Sequence, residues 1–211
     1  MKRKIEKIFA FFIRLLSFAY SYELNKRLSN WLNIIYTMWV RNFIGEVGEN
    51  TGFARPLLLQ GGGQRRIKIG SNTSIGHHTV LGCWKYYGDE SYSPEIVIGN
   101  ECCIGEYCHI AAINKITIGD GLLTGRFVYI GDNSHGGMTC EESNIPPIKR
   151  KLKTKGKIMI GKNVWVGDKV TILGGVTIGD NVIIGANTVV TNDIPSNTIV
   201  TGSKCRIVKS L

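Results

Sequence analysis

From residue 160 onward, apolar residues return every six positions: Ile160, Val166, Ile172, Ile178, Ile184 and Val190. Two positions before each stands a β-branched residue, namely Ile158, Val164, Val170, Val176, Val182 and Thr188. The position after is Gly at 161, 167, 179 and 185. Shorter blocks keep the same count at Ile69, Ile75, Leu81, at Ile98, Ile104, Ile110, and at Ile118, Thr124, Ile130. A period of six matches neither a helical face nor simple strand alternation. It matches a short strand with two inward β-branched residues and a tight corner, repeated. Such a chain winds into a β-solenoid in which each coil buries its core only by stacking on the next.

The register breaks twice. Between Leu81 and Ile98 lies CWKYYGDESYSPE, and between Ile130 and Ile158 a longer excursion begins with GDNSHGG and ends in IPPIKRKLKTKGK. Excursions from a stiff solenoid are where function concentrates. Ahead of the repeats run two helical stripes. Ile5, Ile8, Phe9, Phe12, Leu15, Leu16 and Ala19 share one face, with Lys7, Arg14, Ser17 and Ser21 mostly opposite. Leu24, Leu28, Trp31, Leu32, Ile35 and Trp39 form a second stripe. These helices pack on the protein's own body or a neighbouring subunit, or the first lies peripherally on an anionic membrane, since Lys2, Arg3, Lys4 and Lys7 cluster at its start. Arg14 splits the apolar run, which argues against both a spanning helix and a signal peptide. The expected organisation is an amphipathic helical segment at 1–50 and a solenoid at 51–211, with excursions at 82–95 and 131–157.

Composition changes this picture little. The 26 glycines are what corners with positive φ or close packing require. A net charge of +10 asks for an acidic partner, namely nucleic acid, anionic lipid or a phosphate-rich small molecule. Nucleic acid is disfavoured, because the basic residues are scattered and no binding module is visible. The six cysteines lack CxxC spacing, and the adjacent Cys102 and Cys103 are awkward for a disulfide framework. Small buried thiols in a reducing, cytoplasmic setting are the simpler reading.

The run IGKNVWVGDKVTILGGVTIGDNVIIGANTVVTNDIPSNTIV (160–200) resembles the hexapeptide-repeat acyltransferases, in particular the sugar and polysaccharide O-acetyltransferases such as the galactoside and maltose enzymes. The resemblance covers about 66 to 209. It implies a mainly β fold, a left-handed parallel β-helix, assembled as a homotrimer with acetyl-CoA in the cleft between neighbours. It places the catalytic histidine at His135. The backbone N–H of Asp168 would face the thioester oxygen, and Ala186 and Thr191 would contact the pantetheine arm. Trp165 would lie in the same cleft, with Arg206 and Lys209 near the coenzyme phosphates. The chain departs from the pattern at Gly174–Gly175, at Asn192, at Ser203–Lys204, and at Asn133, where related enzymes carry a second histidine.

Acyl transfer from a thioester to a hydroxyl needs a base titrating near neutrality, fixed donors for the developing oxyanion, and both substrates held together. His135 supplies the base, with no metal required. Asp132 either orients it or serves the turn, the turn being the simpler role. Asn133, Trp84 and Tyr86 are candidates for the acceptor side, and Tyr87 and Tyr92 either stack on sugar or pack their loop. The basic run from Lys149 to Lys157 is either a solvated loop or an attractor of phosphates or acidic glycans. His77, His78 and His109 read as structural, and Cys140 as a plain loop thiol. The rival functions are N-acetylation of an amino sugar, a three-histidine zinc enzyme on the same solenoid, and a non-catalytic scaffold. The zinc reading fails on spacing, because adjacent His77 and His78 cannot both point into a strand's core.

Overall fold

The computed structural model describes residues 2–137, 139–202 and 205–210. Short parallel strands stack into three faces of a prism. The first face runs through Glu46–Val47, Ile67–Ile69, Glu95–Ile98, Lys115–Ile118, Ile158–Ile160 and Thr177–Ile178. The second runs through Gly52–Phe53, Ser74–Ile75, Cys103–Ile104, Leu123–Thr124, Trp165–Val166, Ile183–Ile184 and Thr198–Thr201, and ends in the antiparallel strand Arg206–Ser210. The third runs through Leu58–Gln60, Val80–Cys83, His109–Ala112, Tyr129–Gly131, Thr171–Leu173 and Val189–Val190. Ile160 pairs with Ile178, Val166 with Ile184 and Ile172 with Val190, so three hexads close one coil.

Inward positions form ladders along the prism. Ile67, Ile96, Ile116 and Ile158 lie in register on the first face, each 0% exposed. Burying one such side chain contributes about 2 kcal/mol, and each gains it only because the next coil covers it. The corners carry the backbone strain. Between the first and second faces, Asn50, Asn72, Asn163, Asn181 and Asn197 sit at φ between +55° and +58°. Asparagine tolerates this region best among residues with a Cβ. Their amides bond up the corner, Asn181 to Asn197 at 3.0 Å for instance. Between the second and third faces the same position holds His78, Tyr107 and Phe127, all at positive φ. Their rings stack at 4.9 and 5.0 Å.

His78 therefore occupies a corner and not a strand. Of the cysteines, Cys83, Cys102 and Cys108 are buried as expected, burial pushing the Cys83 thiol up to about 12. Cys103 is exposed, because it is the outward residue of its strand.

Two helices precede the prism, α1 (Lys2–Ala19) and α2 (Tyr22–Val40), the second capped by Ser21 through the Leu24 N–H. α2 docks by Val40, buried in the core with Tyr36 packed against it, and by polar contacts. Thr37 bonds the Phe53 backbone, Tyr36 the Leu57 backbone, and Arg41 the carbonyls of Val47 and Gly48. The stripe of Leu24, Leu28, Trp31, Leu32, Ile35 and Trp39 faces outward instead, with Trp31 59% and Trp39 57% exposed. Of the readings open for this helix, packing the stripe on the body is excluded.

Candidate active site

Both excursions leave the prism at one corner, between the third and first faces. The first follows Val80–Cys83 and the second follows Tyr129–Gly131, with one tight coil between them. That intervening coil turns at Ile113 and Asn114, and the Asp132 carboxylate accepts both of their N–H groups, at 2.8 and 2.9 Å. Asp132 is 1% exposed, and burial pushes its carboxyl up against the pull of those donors. Its oxygens serve the backbone.

His135 closes the strand Asn133–His135, which pairs antiparallel with Leu152–Thr154. The ribbon lifts His135 off the prism with its side chain exposed. The first excursion forms a hairpin, Tyr86–Tyr87 with Glu90–Ser91, that leans on this ribbon. The Tyr87 ring meets the His135 imidazole edge-on at 5.2 Å. The Tyr87 hydroxyl donates to the Ile148 carbonyl at 2.8 Å, and Tyr92 bonds both backbone groups of Leu152. Glu90 pairs with Lys151 and Glu142 with Lys153, each at 2.5 Å. The basic run is thus partly tied down, while Lys155 and Lys157 remain exposed.

Asn133 donates to the Ala111 carbonyl at 3.0 Å, so its amide is engaged with the prism. Trp84 packs over Gly82 and edge-on against Tyr87. Tyr86 is 56% exposed, with the Lys85 ammonium 5.1 Å from its ring centre. Tyr87 is the aromatic of this loop that reaches His135; sequence marked the loop as aromatic but could not rank its rings. A groove of about 170 Å³ runs beside the ribbon, lined by Asn133, Ser134, Lys153, Lys155 and Gly174 among others. A Cβ at Gly174 would come within 2.9 Å of the Asp132 carbonyl, which accounts for glycine there. A larger groove, about 710 Å³, lies elsewhere, between α2 and the first coils.

The other expected residues gather on the second face. Trp165 is in register with Ile183, Ile183 with Ile199, and Ile199 with Lys209. All four are outward, so an apolar row about 14 Å long runs from Trp165 to a lysine. Arg206, opposite Thr201, is exposed at the same end. Asp168 sits at the next corner, its carboxylate accepting the Arg126 N–H at 2.8 Å. Ala186 stacks on that corner one coil further, and Thr191 follows Val189–Val190 on the third face, both exposed. Ser203–Lys204 lies outside the described residues. Among the described residues no hydrogen bond, ion pair or ring contact joins His135 to Trp165, Asp168, Ala186 or Thr191.

His77 pairs with Glu106 at 2.9 Å, and Arg126 joins the same carboxylate at 3.1 Å. His109 packs on Tyr129, with its Nε2 buried and unpartnered. Among the described residues no three His, Cys, Asp or Glu side chains gather as an ion would require.

Residues 157–192 match the family model described as bacterial transferase hexapeptide (six repeats). Over 110 residues the chain is 40% identical to WbbJ of Escherichia coli (strain K12), described as a lipopolysaccharide biosynthesis O-acetyl transferase, covering 50% of this chain and 56% of that one. It is 35% identical to the galactoside O-acetyltransferase of the same organism, covering 57% of each. The chain thus spans little more than half the length of these relatives. A solved galactoside acetyltransferase in complex with coenzyme A superposes with a TM-score of 0.51 at 27% identity, covering 82% of this chain and 68% of that one. AntD, an N-acyltransferase from Bacillus cereus solved with dTDP and coenzyme A, shares the fold with a TM-score of 0.66 at 22% identity, covering 82% and 88%. The likeness to hexapeptide-repeat acyltransferases holds, and the prism is their left-handed parallel β-helix.

Proposed function

We propose that the protein transfers an acetyl group from acetyl-CoA to a hydroxyl of a sugar or polysaccharide, with His135 as general base in a direct ternary complex. The observation that carries this reading is the outward row Trp165–Ile183–Ile199–Lys209. Its apolar length suits a pantetheine arm, and Lys209 with Arg206 suits the phosphates beyond it. Bound acetyl-CoA supplies an activated thioester. His135 takes the acceptor's hydroxyl proton as the oxygen forms its bond to the acyl carbon, and returns it to the sulfur as the carbon–sulfur bond breaks. The backbone N–H at Asp168 faces the charge developing on the thioester oxygen. The galactoside acetyltransferase solved with coenzyme A supports the donor, and the lipopolysaccharide O-acetyl transferase supports a glycan acceptor. Lys155, exposed in the groove beside the ribbon, favours an acidic one. An amine acceptor would use the same base, and the N-acyltransferase AntD, which shares the fold, supports that second reading.

The proposal extends to a homotrimer. His135 rises from the third face while Trp165 and Asp168 lie on the second face and its corner. If three copies meet at the corner of His78, Tyr107 and Phe127, each second face looks onto a neighbour's third face. That arrangement supports a site shared between copies. Calorimetric titration of acetyl-CoA tests the donor half. Saturable binding to wild type and His135→Ala, weakened at least 10-fold in Arg206→Glu/Lys209→Glu, is expected for two charge-assisted phosphate contacts. Absence of binding to wild type contradicts the reading.

A further inference from the structure

We infer that α1 is an interfacial helix that lies in the plane of an anionic lipid surface. Among the described residues no hydrogen bond, ion pair or ring contact links α1 to the solenoid, and its large apolar residues face solvent. Phe9 is 65%, Phe12 57%, Ile13 62% and Leu16 66% exposed. At 100° per residue its polar residues Arg3, Glu6, Lys7, Arg14 and Ser17 occupy about a third of the circumference. The remaining arc is apolar, interrupted only by Lys2 and Lys4 in the first turn, whose long stems let the ammonium groups reach past apolar neighbours to headgroup level. This is the pattern of a helix sunk to part of its diameter in the headgroup–acyl boundary. It lies on the surface and does not cross it, since among the described residues no helix is long and apolar enough to span.

Charge selects the occupant. α1 carries five basic residues, Lys2, Arg3, Lys4, Lys7 and Arg14, against Glu6 alone. A second copy of α1 laid on this face would bring the same sign, whereas anionic headgroups complement it. Cosedimentation of the full chain with phosphatidylcholine vesicles, and with vesicles about a third phosphatidylglycerol, tests the inference. Several-fold stronger binding to the anionic vesicles, weakened by salt, is expected. Phe9→Glu/Phe12→Glu should abolish it with the mass by light scattering unchanged, and Arg3→Glu/Lys7→Glu/Arg14→Glu should remove the preference for anionic lipid. Wild type left in the supernatant with both vesicles overturns the inference. So does Phe9→Glu/Phe12→Glu binding as wild type does, or a fall in its mass, which would assign the face to a neighbouring copy. Coenzyme titration involves no lipid, so the transferase reading stands or falls separately.

Discussion

Tyr87 holds the imidazole of His135 through its ring and anchors itself to the Ile148 carbonyl through its hydroxyl. Tyr87→Ala is expected to lower kcat about 10-fold through lost orientation while leaving the KM for acetyl-CoA unchanged. Tyr87→Phe, which keeps the ring, should retain most of the activity. A steady-state comparison of the two variants separates positioning from general damage. His109 gives a pH signature. Burial holds its pKa below the ordinary 6.5, so in the window just beneath 6.5 the unfolded chain binds a proton that the folded chain refuses. Stability is then full above 6.5 and falls as pH drops through the folded value. His109→Leu should flatten that part of the curve, as followed by urea unfolding between pH 8 and pH 5, bounds chosen to bracket the histidine transition at about 6.5.

At the scale of elements, the prism was legible because its signal is repetition. Twelve inward positions, six repeats and six partners, can be read from 158 onward, and the pairing of Ile160 with Ile178 adds that three hexads close one coil. What could not be read is what lies between repeats. Nothing in CWKYYGDESYSPE says that it forms a hairpin against the second excursion, because that contact comes from both leaving one corner. Nor does an apolar stripe on α2 announce that the helix docks by Tyr36, Thr37, Val40 and Arg41 instead. The aromatic corner was likewise hidden, since Tyr107 and Phe127 stand where the repeat elsewhere uses Asn. A bulky residue at φ +57° or +58° costs on the order of 1–3 kcal/mol. Tyr107→Asn/Phe127→Asn should therefore keep the folded coil by circular dichroism while reducing self-association by light scattering. An unchanged oligomer mass would remove that corner from any interface.

For the whole molecule, a stiff prism fixes two sets of groups on different faces, and assembly is what would bring them together. The apolar row from Trp165 to Lys209 is part of the rigid stack, while His135 stands on a ribbon held by a separate hairpin. On the proposed reading, such a division would let the donor platform stay constant while the loops around His135 select an acceptor. The most direct test is release of free thiol from acetyl-CoA across a panel of sugars and glycans, with wild type and His135→Ala side by side. The expected result is acceptor-dependent release by wild type, lowered by about 10²–10⁴-fold in the variant although both proteins bind acetyl-CoA equally. Equal turnover by the two proteins would contradict His135 as the base and the site built around it.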